Sequence, residues 1–216
     1  MLRILCFHGF ATNSQILDYQ LRQYKKFYPN VEFITFNGPH ELDSSAIEDP
    51  ALKSLLEKSG QKCYSWFSYA TENFEENFAI TIAHIHKFIE KNGNFDGFLG
   101  FSQGGAVCCY YSHFFEYFTN IKKEKTNKYM PKFLIIMNAG SYAPNYHESP
   151  LINLPSIHFI GEKDFLYLRD VYITTTFVNP IVIFTQEGHK IAKLTENDAE
   201  MIKKFLEKFN NKKKIT

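Results

Sequence analysis

The sequence is poor in cysteine, and its few cysteines show no pairing pattern. The 216 residues include four, Cys6, Cys63, Cys108 and Cys109, with neither a Cys-x-x-Cys spacing nor the spread of a disulfide framework. Three of them lie in apolar runs, where cysteine behaves as a small hydrophobic residue. These features argue against a disulfide-stabilised secreted scaffold, and we expect a reduced intracellular compartment.

The chain also lacks an excess of charge and a long apolar run. Lysine and arginine number 24 against 23 aspartate and glutamate residues, and this net charge of +1 gives no electrostatic basis for binding nucleic acid. The lysines at 212–214 are interpreted as a solvated chain end. No apolar run is long enough for a membrane span, and the apolar start at 1–7 is too short for a signal peptide. We therefore expect a soluble, cytosolic protein; its oligomeric state stays open.

Apolar runs that alternate with amphipathic stretches predict an α/β fold. With 44% hydrophobic residues the chain can bury one large core, and we expect a single domain over residues 1–216. Runs rich in Ile, Val and Phe predict about six buried strands, at 2–7, 31–36, 95–99, 133–137, 157–160 and 181–184. Helical patterns occur at 14–27, 78–91, 103–117 and 195–209. The alternation predicts a mostly parallel sheet with helices on both faces, and such sheets collect their chemistry at the carboxyl ends of the strands.

Two longer connections interrupt this alternation. Residues 37–71 are too many for a plain loop, and they predict a lid or a pocket wall. Residues 120–131 are dense in lysine and asparagine, which favours a surface insertion.

A Gly-Phe-Ser-Gln-Gly sequence at 100–104 directly follows the third predicted strand. If the chain turns sharply from strand into helix here, Ser102 is exposed at the apex in a strained backbone conformation. Glycines two residues before and after it then avoid a clash of Cβ atoms. This pattern predicts a serine nucleophile, although a turn whose serine only caps the helix has the same sequence.

A serine nucleophile needs a base and an acid, and the predicted topology places both after later strands. Glu162 and Asp164 follow the strand at 157–160, and His189 follows the strand at 181–184. The chain order Ser102, Asp164, His189 is the order that α/β-hydrolases use. His189 would accept the serine proton, and Asp164 would hold the other ring nitrogen's proton. Spacing alone leaves Glu162 open as the acid.

Other histidines are weaker candidates for the base. His84, His86 and His113 fall in predicted helices and His158 falls in a predicted strand, so none lies in the expected loop.

The oxyanion hole of such an enzyme needs two backbone donors. One is the N–H of Gln103, at the start of a predicted helix, where developing negative charge is favoured. The other should come from the loop after the first strand, where His8 and Gly9 precede Phe10. We predict the N–H of Phe10 as this donor and interpret His8 as a brace for the loop.

Several blocks of the sequence resemble, in order, the family of serine hydrolases named FSH. They are Leu-Cys-Phe-His-Gly-Phe at 5–10, Gly-Pro-His at 38–40, Ser-Trp-Phe at 65–67, the serine motif at 100–104, His-Phe-Ile-Gly-Glu-Lys-Asp at 158–164 and Gly-His at 188–189. The resemblance implies a compact α/β-hydrolase and carries Ser102, Asp164 and His189 over as the triad. Two stretches depart from the family pattern: 190–192 lacks a proline, and 165–168 is apolar. These departures concern the pocket and substrate choice.

The resulting hypothesis is a serine hydrolase that cleaves carboxylic esters of small acyl substrates through an acyl-enzyme. An acyl thioesterase is the alternative within the same chemistry. A catalytically silent scaffold that binds a small molecule or a protein partner is the alternative from another class. A peptidase would need a recognition pocket that the sequence does not indicate. Since no metal-ligand cluster or phosphate-binding glycine loop is evident, we expect no metal and no cofactor.

Overall fold

A computed structural model describes residues 1–68, 74–119, 128–140 and 151–210, with only the backbone given for 114–119. Its main feature is a parallel sheet of six strands. Along the chain these are β1 (Leu2–Phe7), β2 (Val31–Thr35), β5 (Gly97–Phe101), β6 (Phe133–Met137), β7 (Ser156–Gly161) and β8 (Ile181–Thr185). A separate antiparallel pair consists of β3 (His40–Leu42) and β4 (Cys63–Ser65).

Helices cover both faces of the sheet, as the sequence predicts. The helices are α1 (Ser14–Gln20), α2 (Arg22–Phe27), α3 (Pro50–Ser59), α4 (Phe74–Asn92), α5 (Gln103–Thr119), α6 (Tyr167–Thr174) and α7 (Glu196–Glu207). Buried residues of α4, α5 and α6 share one core cluster, and those of α1, α2 and α7 share another. The predicted α/β architecture is confirmed.

The strands alternate between these two cores because successive side chains point to opposite faces. In β1, Leu5 and Phe7 belong to the core beneath α4 and α5, whereas Ile4 and Cys6 belong to the core beneath α1, α2 and α7. All four residues are fully buried. A strand buried on both faces explains the continuous apolar runs that mark the strands in the sequence.

The strand order determines where the site can form. The order β2-β1-β5-β6-β7-β8 means that the chain moves to one side of β1 first and to the other side afterwards. Such a reversal leaves a crevice at the carboxyl ends of the two adjacent strands between which it occurs, here β1 and β5. The loop containing His8 and Gly9 follows β1, and Ser102 follows β5.

Most predicted elements are present, with corrections at particular boundaries. The strand predicted at 95–99 lies at Gly97–Phe101, because its register with β6 extends to the pair Phe101 and Met137. The helix predicted at 14–27 is two helices separated at Leu21. Helix α7 begins at a capping box formed by Thr195 and Asp198.

Short elements were missed because they lack a long periodic pattern. In the connection 37–71, the described part contains β3, β4, α3 and a 3₁₀ turn at Ser44–Ala46. Helix α3 has the expected terminal residues: Asp49 caps its first N–H groups and Gly60 ends it in the left-handed conformation. The interpretation of this connection as a lid stays a prediction. Residues 69–71, and 120–127 of the predicted surface insertion, lie outside the described residues.

In the described part of the chain, no helix combines the length and the apolar character that crossing a bilayer requires. All four cysteines are free and buried, so they pack as apolar residues.

The turn from β5 into α5 has no room for a side chain at Gly100. A Cβ added there would lie 2.2 Å from the carbonyl oxygen of Gly104, which is backbone and cannot rotate away. We expect Gly100→Ala to lower the free energy of unfolding by about 3 kcal/mol through overpacking. Chemical denaturation measures this change.

Gly60→Ala is the matched control for this substitution. Gly60 has φ of 65°, and a Cβ there would meet no atom within 4 Å, so only backbone strain is added. Gly60→Ala should lower the free energy of unfolding by about 1 kcal/mol. Equal costs for the two variants would contradict the close packing at Gly100.

A buried carboxyl group lies near the carboxyl end of β6. Asp170, on α6, is 3% exposed. Its Oδ1 accepts the N–H of Gly140 at 2.7 Å, and Oδ2 has no hydrogen-bond partner among the described residues. Burial, with a smaller contribution from the charge of Asp164, raises the pKa of the Asp170 carboxyl to about 7.

This pKa makes stability depend on pH. Between about pH 4 and pH 7 the unfolded chain loses the Asp170 proton while the folded chain keeps it, so stability falls as pH rises through that range. Asp170→Asn removes this dependence. The melting temperature of the variant relative to wild type should therefore be higher at pH 8 than at pH 5.

Thermal unfolding at both pH values measures the difference, with Asp18→Asn as control. Asp18 is half exposed and pairs with Lys25, so its replacement should change stability by less than about 1 kcal/mol at either pH. A difference between Asp170→Asn and wild type that stays constant with pH would contradict the buried, protonated carboxyl.

Candidate active site

Ser102 occupies a strained turn that two backbone hydrogen bonds hold in place. Its φ of 53° lies in the left-handed region, where a residue with a Cβ is disfavoured. Its N–H donates to the carbonyl of Met137, at the end of β6, at 2.9 Å. Its own carbonyl accepts the N–H of Ala106 in the first turn of α5, at 3.1 Å. The sheet and the helix thus fix the serine between them.

The loop after β1 approaches this turn closely because Gly104 has no Cβ. A Cβ on Gly104 would lie 2.1 Å from the carbonyl oxygen of Phe7, whereas a Cβ on Gly9 would make only van der Waals contact with the Cβ of Ser102, at 3.5 Å. The loop residue Phe10 lines the groove in front of the serine. Gln103 is the first residue of α5. Of the two predicted oxyanion residues, Gln103 thus directly follows Ser102, and Phe10 lies on the loop that approaches the serine turn.

Ser102, His189 and Asp164 form a continuous chain of hydrogen bonds. The distance from Ser102 Oγ to His189 Nε2 is 2.9 Å, and that from His189 Nδ1 to Asp164 Oδ2 is 2.7 Å. A carboxylate accepts the Nδ1 proton, so Nε2 is left to accept the hydroxyl proton of the serine. The structure brings together the three side chains that the sequence selected, and this arrangement can carry a proton from the serine to the imidazole.

The two acidic residues after β7 face different surroundings. The Asp164 side chain is completely buried, and its Oδ1 accepts the N–H of Leu166 at 2.8 Å while Oδ2 faces His189. Glu162 is exposed and hydrogen-bonds to Gln186. The sequence spacing could not distinguish these two acids, but the structure does: Asp164 is the one paired with His189.

Two aromatic rings flank the imidazole of His189. The ring centroid of Phe101 lies 5.2 Å from that of His189, and the ring of Phe165 lies 4.8 Å from it on the loop that carries Asp164. Phe165 is 80% exposed, whereas the His189 side chain is 22% exposed. The rings restrict the position of the imidazole and shield part of it from water.

His8 braces the loop after β1, in agreement with its interpretation from the sequence. Its Nε2 accepts the N–H of Gly38 at 3.0 Å, so the proton resides on Nδ1, which donates to the carbonyl of Gly9 at 2.7 Å. Burial lowers the pKa of His8 to about 4, and the bond to Gly9 opposes this only in part. His8 is therefore neutral, and its ring joins the β1 loop to residue 38.

The remaining candidate histidines have partners elsewhere. His158 is buried in β7 beside Ser156, and burial lowers its pKa to about 3. His84 contacts the carbonyl of Asn37 at 2.9 Å, and His86 contacts the hydroxyl of Tyr111 at 3.0 Å. The partners of these three histidines lie away from Ser102, in agreement with the expectation that they are weaker candidates for the base.

Two buried amide side chains at the site were not identified from the sequence. Gln103 was selected for its backbone, yet its side chain is 1% exposed: Oε1 accepts the N–H of Trp66 at 2.9 Å and Nε2 donates to the carbonyl of Phe67 at 2.8 Å. Asn138 was missed altogether, although it directly follows β6. The rule that chemistry collects at the carboxyl ends of strands would have selected it.

A groove of about 900 Å³ opens in front of Ser102 and His189. Its walls come from the loop after β1, from the ends of α1 and α2, from residues 46–52 and from residues 189–193. Apolar side chains line the part near the serine, including Phe10, Ile47 and Phe165. Cations (Arg22, Lys190, Lys193) and anions (Glu48, Asp49) both occur along it. The connection 37–71 therefore supplies one wall of the groove.

Comparisons with known proteins find similar chains among proteins named hydrolases and esterases. A fungal hydrolase named phiM is 25% identical over 228 aligned positions, which cover 94% of this chain and 91% of that protein. The Drosophila melanogaster esterase CG5412 is 23% identical, with 87% of this chain and 67% of that protein covered.

Solved structures agree at the level of the fold. The crystal structure of esterase PE8 superposes with a TM-score of 0.62 over 96% of this chain and 92% of that one, at 14% identity, and has the same α/β-hydrolase fold. The family model described as serine hydrolase (FSH1) matches residues 1–201. This chain therefore belongs to the FSH1 family of serine hydrolases.

Proposed function

We propose that this protein hydrolyses carboxylic esters, with Ser102 as nucleophile, His189 as general base and Asp164 as the acid that orients the base. The observation that carries the proposal is the continuous hydrogen-bond chain, 2.9 Å and 2.7 Å long in its two steps, at the groove in front of Ser102. Relatives named esterases add support for an ester substrate.

The first half of the reaction forms an acyl-enzyme. His189 Nε2 takes the hydroxyl proton as Ser102 Oγ bonds to the ester carbonyl carbon, and Asp164 stabilises the imidazolium. The carbonyl oxygen becomes an oxyanion, which the N–H groups of Phe10 and Gln103 receive. When the carbon–oxygen bond to the leaving group breaks, the imidazolium gives its proton to the departing alkoxide, and an alcohol leaves.

The second half releases the acid. Water enters the groove and gives a proton to His189 Nε2 while its oxygen attacks the acyl carbon. The bond from that carbon to Ser102 Oγ breaks, and the imidazolium returns its proton to the serine. The enzyme is restored without any cofactor, and one ester has yielded one alcohol and one carboxylic acid.

The groove favours an acyl ester of moderate size. Its volume of about 900 Å³ lies within the range of small-molecule sites. Phe10, Ile47 and Phe165 give the region near Ser102 an apolar lining suited to an acyl chain. Hydrolysis rates for a series of p-nitrophenyl esters of increasing chain length, and for matching thioesters, would define the preferred acyl group and bond.

The nucleophile assignment predicts covalent labelling at one residue. A fluorophosphonate probe should label wild-type protein, and Ser102→Ala should abolish both labelling and p-nitrophenyl ester hydrolysis, because the attacking oxygen is removed. Intact-mass spectrometry measures the adduct. Ser112→Ala is the control, since Ser112 is a fully buried serine on α5.

Two outcomes would contradict the assignment. Equal labelling of Ser102→Ala and wild type would place the nucleophile elsewhere. Absence of labelling and of ester hydrolysis in folded wild-type protein would favour a silent binding scaffold instead.

The acid assignment predicts unequal effects of two nearby carboxylates. Asp164→Ala should lower kcat by about 10³-fold or more, because the imidazole loses the group that holds its tautomer and stabilises its charge. Glu162→Ala should change kcat by less than about threefold, because the Glu162 side chain is exposed and bonds to Gln186. Steady-state kinetics on a p-nitrophenyl ester compares the two, and the reverse order would move the acid to Glu162.

A further inference from the structure

Asn138 connects the two loops that carry His189 and Asp164. Its Nδ2 donates to the carbonyl of Lys190 at 2.8 Å and to that of Gly188 at 3.3 Å, so its amide bonds on both sides of the histidine. Its Oδ1 accepts the N–H of Gly161, the last residue of β7, at 2.8 Å. One side chain therefore spans the base loop and the strand that leads into the acid loop.

The turn that carries Ser102 is held by Met137, the residue that precedes Asn138. The carbonyl of Met137 accepts the N–H of Ser102, and the N–H of Asn138 donates to the carbonyl of Phe159 in β7 at 3.0 Å. Residues 137 and 138 thus hold the nucleophile turn, the acid strand and the base loop together. All of these bonds except the one at Ser102 involve Asn138.

Asn138 has few replacements that could make the same contacts. Its φ of 45° lies in the left-handed region, which asparagine tolerates better than most residues. It is 3% exposed, and its amide uses both N–H groups and one oxygen lone pair. Aspartate has the same shape but lacks the N–H donors, and glycine suits the backbone but has no side chain.

The end of β7 and the loop that carries His189 lie so close together that no side chain fits between them. A Cβ added to Gly161 would lie 2.6 Å from the carbonyl oxygen of Glu187 and 2.8 Å from that of Gly188. The acid strand and the base loop are therefore in backbone contact. Asn138 bridges them beside this contact.

We propose that Asn138 is a positioning residue of the active site, which holds the imidazole of His189 in line between Asp164 and Ser102 by bonding to the backbone on both sides of the histidine. This inference rests on the proposed function. Asn138 does not touch the reacting atoms: it acts through the geometry of His189. Small errors in such geometry reduce rates strongly, by up to about 100-fold for a displacement of about 1 Å.

The test compares Asn138→Gly and Asn138→Asp with wild type and with Asn179→Gly. Asn179 is the matched control because it is also a left-handed asparagine, with φ of 51°, but it is exposed and precedes the amino end of β8, at the opposite edge of the sheet. The rate of fluorophosphonate labelling at Ser102 and the kcat and KM for a p-nitrophenyl ester are measured below the melting temperature of every variant.

Both Asn138 variants should slow labelling and lower kcat by about 10- to 100-fold with little change in KM. The NMR signal of the proton between His189 Nδ1 and Asp164 should shift or broaden in both. Asn179→Gly should change none of these quantities by more than about twofold. Labelling and kcat at wild-type levels in either folded Asn138 variant would overturn the proposal.

A double-mutant comparison separates positioning from general destabilisation. On the Asp164→Ala background, Asn138→Gly should slow labelling much less than it does in wild type, because the alignment it supports is already lost. The same fold-change on both backgrounds would show that Asn138 acts independently of the His189–Asp164 pair and would overturn the proposal. If Asn138→Gly does not fold, Asn138→Asp gives the same comparison.

Failure of this proposal differs from failure of the proposed function. Loss of the positioning role would leave Ser102-dependent labelling intact in wild type and in the Asn138 variants. Loss of the proposed function would appear as labelling that does not depend on Ser102, whatever residue stands at 138.

Discussion

The close contact of backbone segments at the carboxyl edge of the sheet is the constraint on which the site depends. Gly100, Gly104 and Gly161 each lie where a Cβ would come within 2.6 Å of another backbone atom. The serine turn can therefore lie against the β1 loop, and the acid strand against the base loop. Parallel strands end together at this edge, so residues far apart in sequence meet there without a long side chain having to reach. The strained conformation of Ser102 persists because hydrogen bonds to Met137 at the end of β6 and to Ala106 in α5 hold it from both sides.

The same constraint determines the electrostatics of the site. Backbone packing at this edge leaves Asp164 buried with its two oxygens facing one imidazole and one N–H group. In the proposed reaction, Asp164 orients the imidazole and stabilises its charged form. The nearby Asp170 has one oxygen without a partner among the described residues, and its raised pKa keeps it protonated below about pH 7. Two buried carboxyl groups close together thus have different partners: both oxygens of Asp164 are hydrogen-bonded, whereas one oxygen of Asp170 is not bonded to any described residue.

Particular residues show how far the sequence could predict this arrangement. The continuous apolar runs of β1 and β6 predicted strands at the observed positions, because strands buried on both faces need apolar residues throughout. The serine motif and the chain order of acid and histidine predicted that Ser102 and His189 meet and that an acid from the loop after β7 joins them. The pair β3–β4 and helix α6 were missed, because three-residue strands and an eight-residue helix carry no clear period. The strand-end rule could have named Asn138 as a candidate, but its contacts could not be predicted, because its partners lie 23, 50 and 52 residues away along the chain.

The sequence by itself determined the α/β alternation, the position of the strained serine and the candidates for acid and base, since each depends on local pattern or on chain order. Tertiary structure alone decided between Asp164 and Glu162, because both follow β7 and only packing sets which carboxylate is buried against His189. It also decided that His8 is a neutral brace, since its tautomer follows from a bond to the N–H of Gly38, 30 residues away. Such choices depend on distances between distant segments, and a linear pattern contains no information on those distances.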